Sequence, residues 1–171
     1  GAAIKDFKIP DRVVVGTDSE RAQEVMRELY RPLFLNETPI LFTSRRTSEL
    51  IKYAANAFLA TKITFINEIA ALCERVGADV KKVSKGMGLD GRIGSKFLHA
   101  GPGYGGSCFP KDTKALARMG QDHSVPMQLT ETVIKVNDEV KRRMIDKVVD
   151  ICGGSVNGKV IAVLGVTFKP N

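Results

Sequence analysis

The stretch from Thr47 to Val76 runs for about thirty residues without a glycine or a proline. Because these two residues interrupt helices, their absence predicts one long helix, which Gly77 ends. Apolar side chains lie on more than one stripe of this helix, and this pattern predicts burial on most of its sides. Such a helix in a small domain usually crosses a core or a subunit interface. Its apolar positions are Leu50, Ile51, Ala54, Phe58, Ile63, Ile66, Ile69, Ala70, Leu72, Cys73 and Val76.

Short α/β segments flank this helix on both sides. Before it, the sequence predicts a strand at 12–15, a helix from 17 to about 32 and a strand at 39–43. Far beyond it, the apolar run 159–165 is typical of a buried parallel strand that opens an α/β domain. Two incomplete α/β pieces around one helical block predict a fragment of a longer protein. The predicted domains are 1–44, 45–154 and 155–171.

The helical block contains three further predicted helices and one loop. A short helix is predicted from Asp79 to Lys85, and the segment 92–108 is rich in glycine and lacks periodicity, which indicates a loop. Pro110 suits the first turn of the next helix, which is predicted to end near Gln121. A last long helix is predicted after Pro126.

Composition excludes several classes of protein. The net charge of +7 permits anionic partners, but Lys and Arg are scattered among Asp and Glu, so we expect no nucleic acid. No apolar run approaches the roughly 20 residues that cross a bilayer, so we expect no membrane span. The three cysteines are too few and too widely spaced for a disulfide framework or a zinc site, and we expect no metal. Free thiols indicate a reducing compartment, the cytoplasm.

The most informative segment is the glycine-rich loop 101–107, which leads into Cys108. Its glycines allow a ligand to approach the backbone, and a cysteine just before a helix N-terminus has its thiolate stabilised by the helix dipole and by Lys111. Cys108 is therefore a candidate nucleophile. The alternative is that it is a small buried hydrophobic residue, which is what we expect of Cys73 and Cys152.

A second candidate group lies on the long helix. Lys52 and Asn56 are four residues apart and project from one face of the helix. An ammonium and a carboxamide side by side would donate hydrogen bonds to an oxyanion or to substrate hydroxyls. The alternative is a polar pair on the solvent face.

Five ordered motifs closely resemble the UDP-glucose and GDP-mannose dehydrogenase family, and together they extend over the whole chain. A single glycine-rich loop would be weak evidence, whereas five motifs in order are specific. The resemblance implies a mainly α central domain, similar to the C-terminal domain of 6-phosphogluconate dehydrogenase, flanked by partial Rossmann-like α/β pieces. The motifs are IKDF to PDRV at 4–13, SELIKYAANAF at 48–58, RIGSKF at 92–97, GYGGSCFPKD at 103–112 and LGVTFK at 164–169.

The resemblance also implies chemistry. It implies that a nucleotide sugar is oxidised twice at C6 with NAD. The sequences of the motifs are most similar to those of the family members that act on UDP-glucose. Cys108 would form a thiohemiacetal and then a thioester, which is hydrolysed to UDP-glucuronate. Lys52 and Asn56 would stabilise the oxygen of these intermediates, and Asp112 would act in general acid/base chemistry. The residues implied to bind substrate are Lys52, Asn56, Arg92, Phe97, His99, Tyr104, Gly105, Phe168 and Lys169, and Lys111 would approach the cofactor.

Two rival interpretations remain open. GDP-mannose or a UDP-N-acetylhexosamine would use the same thiol chemistry. Alternatively, the chain is a catalytically silent helical dimerisation module. The long helix predicts a homodimer under either interpretation. The strand that leads into a Gly-x-Gly-x-x-Gly turn, which holds the NAD pyrophosphate in this family, does not occur in the sequence, since the glycines of 101–106 follow no predicted strand. We therefore expect these 171 residues alone to be inactive.

Overall fold

The computed structural model describes residues 3–36 and 38–165. These residues fall into two compact units, and the boundary between the units lies between Lys52 and Tyr53, inside the long helix. The predicted fold class, mainly helical with a small α/β piece, is confirmed. The domain boundaries read from the sequence stay predictions.

The first unit contains a two-stranded parallel sheet. Strand β1 (Val13–Gly16) pairs with β2 (Ile40–Thr43) in register from Val13 opposite Ile40 to Gly16 opposite Thr43. Helix α2 (Glu20–Tyr30) and a 3-10 turn (Arg31–Asn36) connect them, as a parallel pair requires a crossover. A short helix, α1 (Ala3–Lys8), comes before β1. Both predicted strands and the predicted helix are therefore present.

Four helices account for the rest of the secondary structure in the described residues. Helix α3 (Arg45–Val76) is the predicted long helix, and α4 (Val80–Gly88) follows it after the turn at Gly77. Helices α5 (Cys108–Asp122) and α6 (Gln128–Ile151) are joined by five residues and pack against each other. A small apolar cluster of Ala60, Tyr104 and Val133, with Ile63 and Phe109 against it, lies where α3, α5, α6 and the loop before α5 meet.

Polar side chains are unusually frequent inside this helical unit. Buried uncharged or charged polar residues come from three of its helices, and several are almost completely inaccessible. Because burial of an unpaired polar group costs free energy, such residues indicate hydrogen bonds that fix particular segments. They are Thr64, Asn67, Asp112, Thr113, Thr130 and Asn137.

Three predictions about individual elements are corrected. Helix α5 begins at Cys108 and not at Pro110. Pro110 is the third residue of the helix, where its missing N–H is one of those without an intrahelical acceptor, so proline does not mark the first position. Residues 159–165 form no strand and are exposed, because the described part of the chain offers no strand edge beside them.

Helix α3 is also less buried than predicted. Phe58, Phe65 and Leu72 are 66%, 44% and 56% exposed in the single chain. Their spacing of seven residues places them on one side of the helix, here called the α3 apolar face. The prediction of burial on most sides was wrong for the isolated chain, because hydrophobicity alone does not tell intrachain packing from an unpartnered face.

No helix in the part of the chain that the structure describes is long and apolar enough to cross a bilayer.

Candidate active site

Cys108 occupies the first position of helix α5 and is exposed and free. The residue before it, Ser107, makes no side-chain capping hydrogen bond to the helix, and its Oγ lies 3.7 Å from the Cys108 Sγ. The N–H groups of the first turn, which have no intrahelical acceptor, and the helix dipole give this position a positive electrostatic potential. The alternative that Cys108 is a buried core residue is excluded. Cys73 is buried as predicted, whereas Cys152 is only half-buried.

Asp112 and Asn56 form the central contact of the site. The Asn56 Nδ2 donates to the Asp112 Oδ2 at 2.6 Å, and Asp112 is completely inaccessible. Asp112 follows Cys108 by four residues, so the two side chains lie one above the other on the same face of α5. The structure thus brings Asn56 to the face that carries Cys108. A solvent-face role for Asn56 is excluded, because it is half-buried and bonded to an inaccessible carboxylate.

The two lysines predicted for the site differ in surroundings. Lys111 is 73% exposed, with its Nζ 4.0 Å from the Asp112 Oδ1. An ion pair with so exposed an amine contributes little stability, so Lys111 retains freedom to contact another anion. Lys52 lies four residues before Asn56 on α3, is exposed and belongs to the other compact unit.

Two of the predicted substrate residues belong to an aromatic cluster. The Phe97 and Tyr104 rings both pack edge-on against Phe109, with centroids 6.1 Å and 6.0 Å away. Burial raises the pKa of the Tyr104 phenol, and a hydrogen bond with Thr113 offsets part of that rise. The cluster therefore fixes the residue next to Cys108.

The other predicted substrate residues are more dispersed. Arg92 is 89% exposed and forms a forked ion pair with Asp90, whose pKa it lowers. His99 lines a surface cleft of about 470 Å³ together with Lys81 and Lys85. Gly105 is exposed in the loop. Phe168 and Lys169 lie outside the described residues.

Sequence reasoning missed two buried residues, Asn67 and Asn137. Both are among the least accessible side chains of the helical unit, and both bond the backbone of the glycine-rich loop. A signal was present for Asn67, which lies inside an apolar stretch of a helix and therefore needs a partner, whereas Asn137 is followed by two acidic residues and gives no such signal.

The helix N-terminus that follows β1 does not suit the pyrophosphate of NAD. The N-terminus of α2, which follows β1, is capped by its own Ser19, whose Oγ accepts from the Ala22 N–H at 3.3 Å. Asp18 beside it pairs with Arg45 at 3.1 Å. A capped helix end with a carboxylate next to it does not suit a pyrophosphate. Among residues 3–36 and 38–165, no cluster of three His, Cys, Asp or Glu residues has the spacing of a metal site.

Known proteins are similar to this chain in sequence and in structure. It is 68% identical over 173 residues to the UDP-glucose 6-dehydrogenase of Rhizobium meliloti (strain 1021), covering 100% of this chain and 40% of that protein. It is 52% identical over 171 residues to the UDP-glucose 6-dehydrogenase YwqF of Bacillus subtilis (strain 168), covering 100% of this chain and 38% of that one. The structure of a UDP-glucose dehydrogenase from Pyrobaculum islandicum matches with a TM-score of 0.84 at 40% identity, over 88% of this chain and 34% of that chain.

The chain thus spans about two fifths of the length of these curated relatives. Residues 46–139, more than half of the chain, match the central domain of one protein family. That segment includes all of α3 except its first residue, together with the glycine-rich loop, Cys108 and the Asn56–Asp112 contact. The chain accordingly belongs to the UDP-glucose/GDP-mannose dehydrogenase family, of which residues 46–139 are the central domain.

Proposed function

We propose that this chain carries the thiol centre of a UDP-glucose 6-dehydrogenase. The observation that carries the proposal is the contact between Asn56 and the inaccessible Asp112, one helical turn from an exposed Cys108. Cys108 and Asp112 lie on adjacent turns of α5, and Asn56 contacts Asp112 from α3. A nucleophile, an amide donor and a carboxylate are the groups that addition to an aldehyde and hydrolysis of a thioester require. The names of the relatives favour UDP-glucose as the substrate.

In the step assigned to Cys108, its thiolate attacks the C6 aldehyde carbon, and a carbon–sulfur bond forms. The carbonyl electron pair moves to oxygen, which takes a proton to complete a thiohemiacetal. Asn56 has two N–H groups, and one of them is engaged by Asp112. The other N–H, together with the Lys52 ammonium, is proposed to stabilise the developing oxyanion.

The last step releases the product as a carboxylate. Once the sugar carbon is held as a thioester, water attacks that carbon, the carbon–sulfur bond breaks and the Cys108 thiolate is regenerated. The Asp112 carboxylate, held by Asn56, is proposed to accept the proton of the attacking water, directly or through a second water. The net change at C6 in this step is hydrolysis, without oxidation.

The residues proposed to bind substrate share one role, and Lys52 and Asn56 are among them. We propose that they line the pocket of the nucleotide sugar, with Arg92 reaching a neighbouring subunit, where a guanidinium would match phosphate oxygens. The ion pair of Arg92 with Asp90 is exposed and therefore weak, so exchange for a phosphate costs little. The residues are Lys52, Asn56, Arg92, Phe97, His99, Tyr104, Gly105, Phe168 and Lys169.

NAD is the proposed oxidant, and its chemistry is the removal of hydride from C6 in each of two oxidations. Since the capped N-terminus of α2 does not suit its pyrophosphate, the proposed role of this chain toward NAD is an approach by Lys111. We further propose that the protein forms a homodimer through the α3 apolar face. We also propose that it is cytoplasmic, where Cys108 stays reduced.

The test is NADH formation by the full-length protein with UDP-glucose, GDP-mannose and a UDP-N-acetylhexosamine. We expect the highest kcat/KM with UDP-glucose, and loss of carboxylate product in Cys108→Ser with retained folding. Cys152→Ser is the matched control, because it removes a half-buried thiol far along the sequence. We also expect no NADH from the 171-residue chain alone. Full activity of Cys108→Ser would refute the proposal, and preference for another nucleotide sugar would refute its substrate.

A dimerisation module without catalysis is the second candidate, and the α3 apolar face favours it. The exposure of Phe58, Phe65 and Leu72 is expected for any self-associating helix. It does not account for an inaccessible Asp112 bonded to Asn56 beside an exposed thiol. Activity of the full-length protein that depends on Cys108 separates the two candidates.

A further inference from the structure

Two buried carboxamides hold the glycine-rich loop that precedes Cys108. The Asn67 Oδ1, on α3, accepts from the Gly101 N–H at 2.7 Å. The Asn137 Oδ1, on α6, accepts from the Tyr104 N–H at 2.7 Å. Asn67 and Asn137 are 1% and 2% exposed, but Gly101 is exposed and Tyr104 is buried, so only the bond of Asn137 is buried at both ends. The loop is therefore attached to helices on both sides through its main chain.

Both the oxygen and the nitrogen of the Asn137 carboxamide bond the same residue of the loop. Its Nδ2 donates to the Tyr104 carbonyl at 3.1 Å while its Oδ1 accepts from the amide of the same residue. The side chain thus satisfies the donor and the acceptor of one buried residue, as a neighbouring β-strand would do. In contrast, the Asn67 Nδ2 makes no hydrogen bond within residues 3–36 and 38–165. Asn137 uses both of its groups on the loop, and Asn67 uses one.

Gly103 is required by this contact. A Cβ on Gly103 would lie 2.8 Å from the Asn137 Oδ1, and the backbone there has a φ of +99°. Both the close approach and the left-handed conformation exclude a larger residue without a shift of the loop. Gly101, in the same loop, has open space around a Cβ.

The clamped residue is coupled to the thiol through packing. The Tyr104 ring rests edge-on against Phe109, the residue after Cys108, and Phe109 is bound in turn by Thr113, whose Oγ1 donates to its carbonyl at 2.7 Å. Displacement of Tyr104 would remove the support of the first turn of α5. Because near-attack geometry depends on sub-ångström placement, such a shift affects the reaction of the Cys108 sulfur.

We infer that Asn137 is a positioning residue, which uses both ends of its carboxamide to hold Tyr104 and thereby places Cys108 for attack, with Asn67 as a second, single attachment. This inference rests on the proposed function for its catalytic consequence. It assigns Asn137 no contact with substrate. The hydrogen-bond geometry on which it depends can be tested without any activity.

The test compares two isosteric variants, Asn137→Asp and Asn67→Asp, in the full-length protein. Both place a carboxylate in a buried position, and Tm measures the stability that each loses. Only Asn137→Asp removes a donor from the loop and opposes the Tyr104 carbonyl with an anionic oxygen. The readouts are hydrogen–deuterium exchange of segment 98–109 and kcat at saturating UDP-glucose, where changes in KM do not contribute.

We expect exchange in segment 98–109 to be about tenfold faster in Asn137→Asp and within about twofold of wild type in Asn67→Asp. We expect kcat to fall about tenfold to a hundredfold in Asn137→Asp alone. Equal exchange and equal kcat in the two variants would overturn the inference and leave Asn137 a structural residue. If wild type is inactive, the proposed function fails, whereas the exchange comparison still decides whether Asn137 holds the loop.

A second pair of variants covers the case in which Asn137→Asp does not fold. Gly103→Ala strains the same contact from the loop side, and Gly101→Ala, where a Cβ meets no atom within 4 Å, is its control. We expect the faster exchange in Gly103→Ala and the wild-type rate in Gly101→Ala. The same rate in both glycine variants would contradict the inference.

Discussion

Among single residues, Cys108 differs from the other two cysteines in its exposure and in its position on a helix. Cys108 is exposed at a helix N-terminus, Cys73 is 5% exposed in the last turn of α3, and Cys152 is half-buried at the end of α6. The dipole of a helix stabilises an anion at its N-terminus and disfavours one at its C-terminus. The same chemical group is therefore placed in opposite electrostatic surroundings within one chain.

This difference predicts the order of thiol reactivity. We expect iodoacetamide to alkylate Cys108 at pH 7 at least about tenfold faster than Cys152, because the thiolate is the nucleophile. Peptide mass spectrometry during a time course measures the two rates in one sample. Cys73 should label only after unfolding in urea. Equal rates at Cys108 and Cys152 would show that the helix N-terminus does not activate the thiol.

The pairing of Asn56 with Asp112 also leads to a pH prediction. Asn56→Asp would place a second carboxylate 2.6 Å from the Asp112 Oδ2, and one of the two would stay protonated. An acid whose pKa is raised by folding stabilises the fold below its unfolded pKa, and this stability is lost as pH rises through the folded pKa. We expect the free energy of unfolding of Asn56→Asp to be lower at pH 8 than at pH 5 by roughly 1–3 kcal/mol relative to wild type. Urea titrations at the two pH values measure it, and a pH-independent difference would contradict the contact.

At the scale of secondary-structure elements, the sequence predicted those elements whose determinants are local. Helices α3 and α6 followed from long apolar periodicity, and β1 and β2 from β-branched and apolar runs between glycine and proline. The start of α5 was misplaced, because proline fits several positions of a first turn. Residues 159–165 were predicted as a strand, and a strand depends on a partner that local sequence does not reveal.

The candidate site divides in the same way. Cys108 was identified from its glycine-rich surroundings, and Asn56 from its place in an apolar helix. The attachment of the loop by Asn67 and Asn137 was missed, because those contacts join segments 33 and 34 residues apart. Such pairings are tertiary, so pattern alone does not specify which buried asparagine meets which backbone group.

The loop before α5 has a measurable signature at high pH. Burial raises the pKa of Tyr104 above the ordinary tyrosine value of about 10. The neutral phenol is therefore favoured in the folded state, and stability is lost as pH rises from about 10 toward the folded pKa. We expect Tyr104→Phe to show a smaller loss of stability than wild type between pH 9 and pH 11, measured by urea unfolding. Tyr30→Phe, at a phenol that is only half-buried, is the control, and an equal change in both variants would contradict the assignment.

At the scale of the whole molecule, the α3 apolar face is the feature that the single chain leaves unexplained. Phe58, Phe65 and Leu72 are each at least 44% exposed on one side of one helix. Covering three such side chains contributes on the order of 1.5–3 kcal/mol each when burial is complete. A second copy of the chain, packed through the same face, would cover them symmetrically.

We therefore expect self-association that depends on this face. Phe65→Glu should shift the protein toward monomer in sedimentation velocity, with a dissociation constant raised at least about tenfold, because the change buries an unpaired charge. Val25→Glu is the matched control, since Val25 is a similarly exposed apolar residue, 58%, on α2. Unchanged sedimentation of Phe65→Glu would leave the face without a role in assembly.

The chemistry proposed for this protein requires that the sulfur of Cys108 form a bond with C6 of the substrate. Acid-quenched peptide mass spectrometry of the full-length protein during turnover of UDP-glucose tests it directly. The account predicts a sugar-nucleotide adduct on the peptide that contains Cys108, formed only when NAD and UDP-glucose are both present. An adduct on Cys73 or Cys152, or steady turnover with no adduct at Cys108 at any quench time while Cys108→Ser remains active, would contradict it.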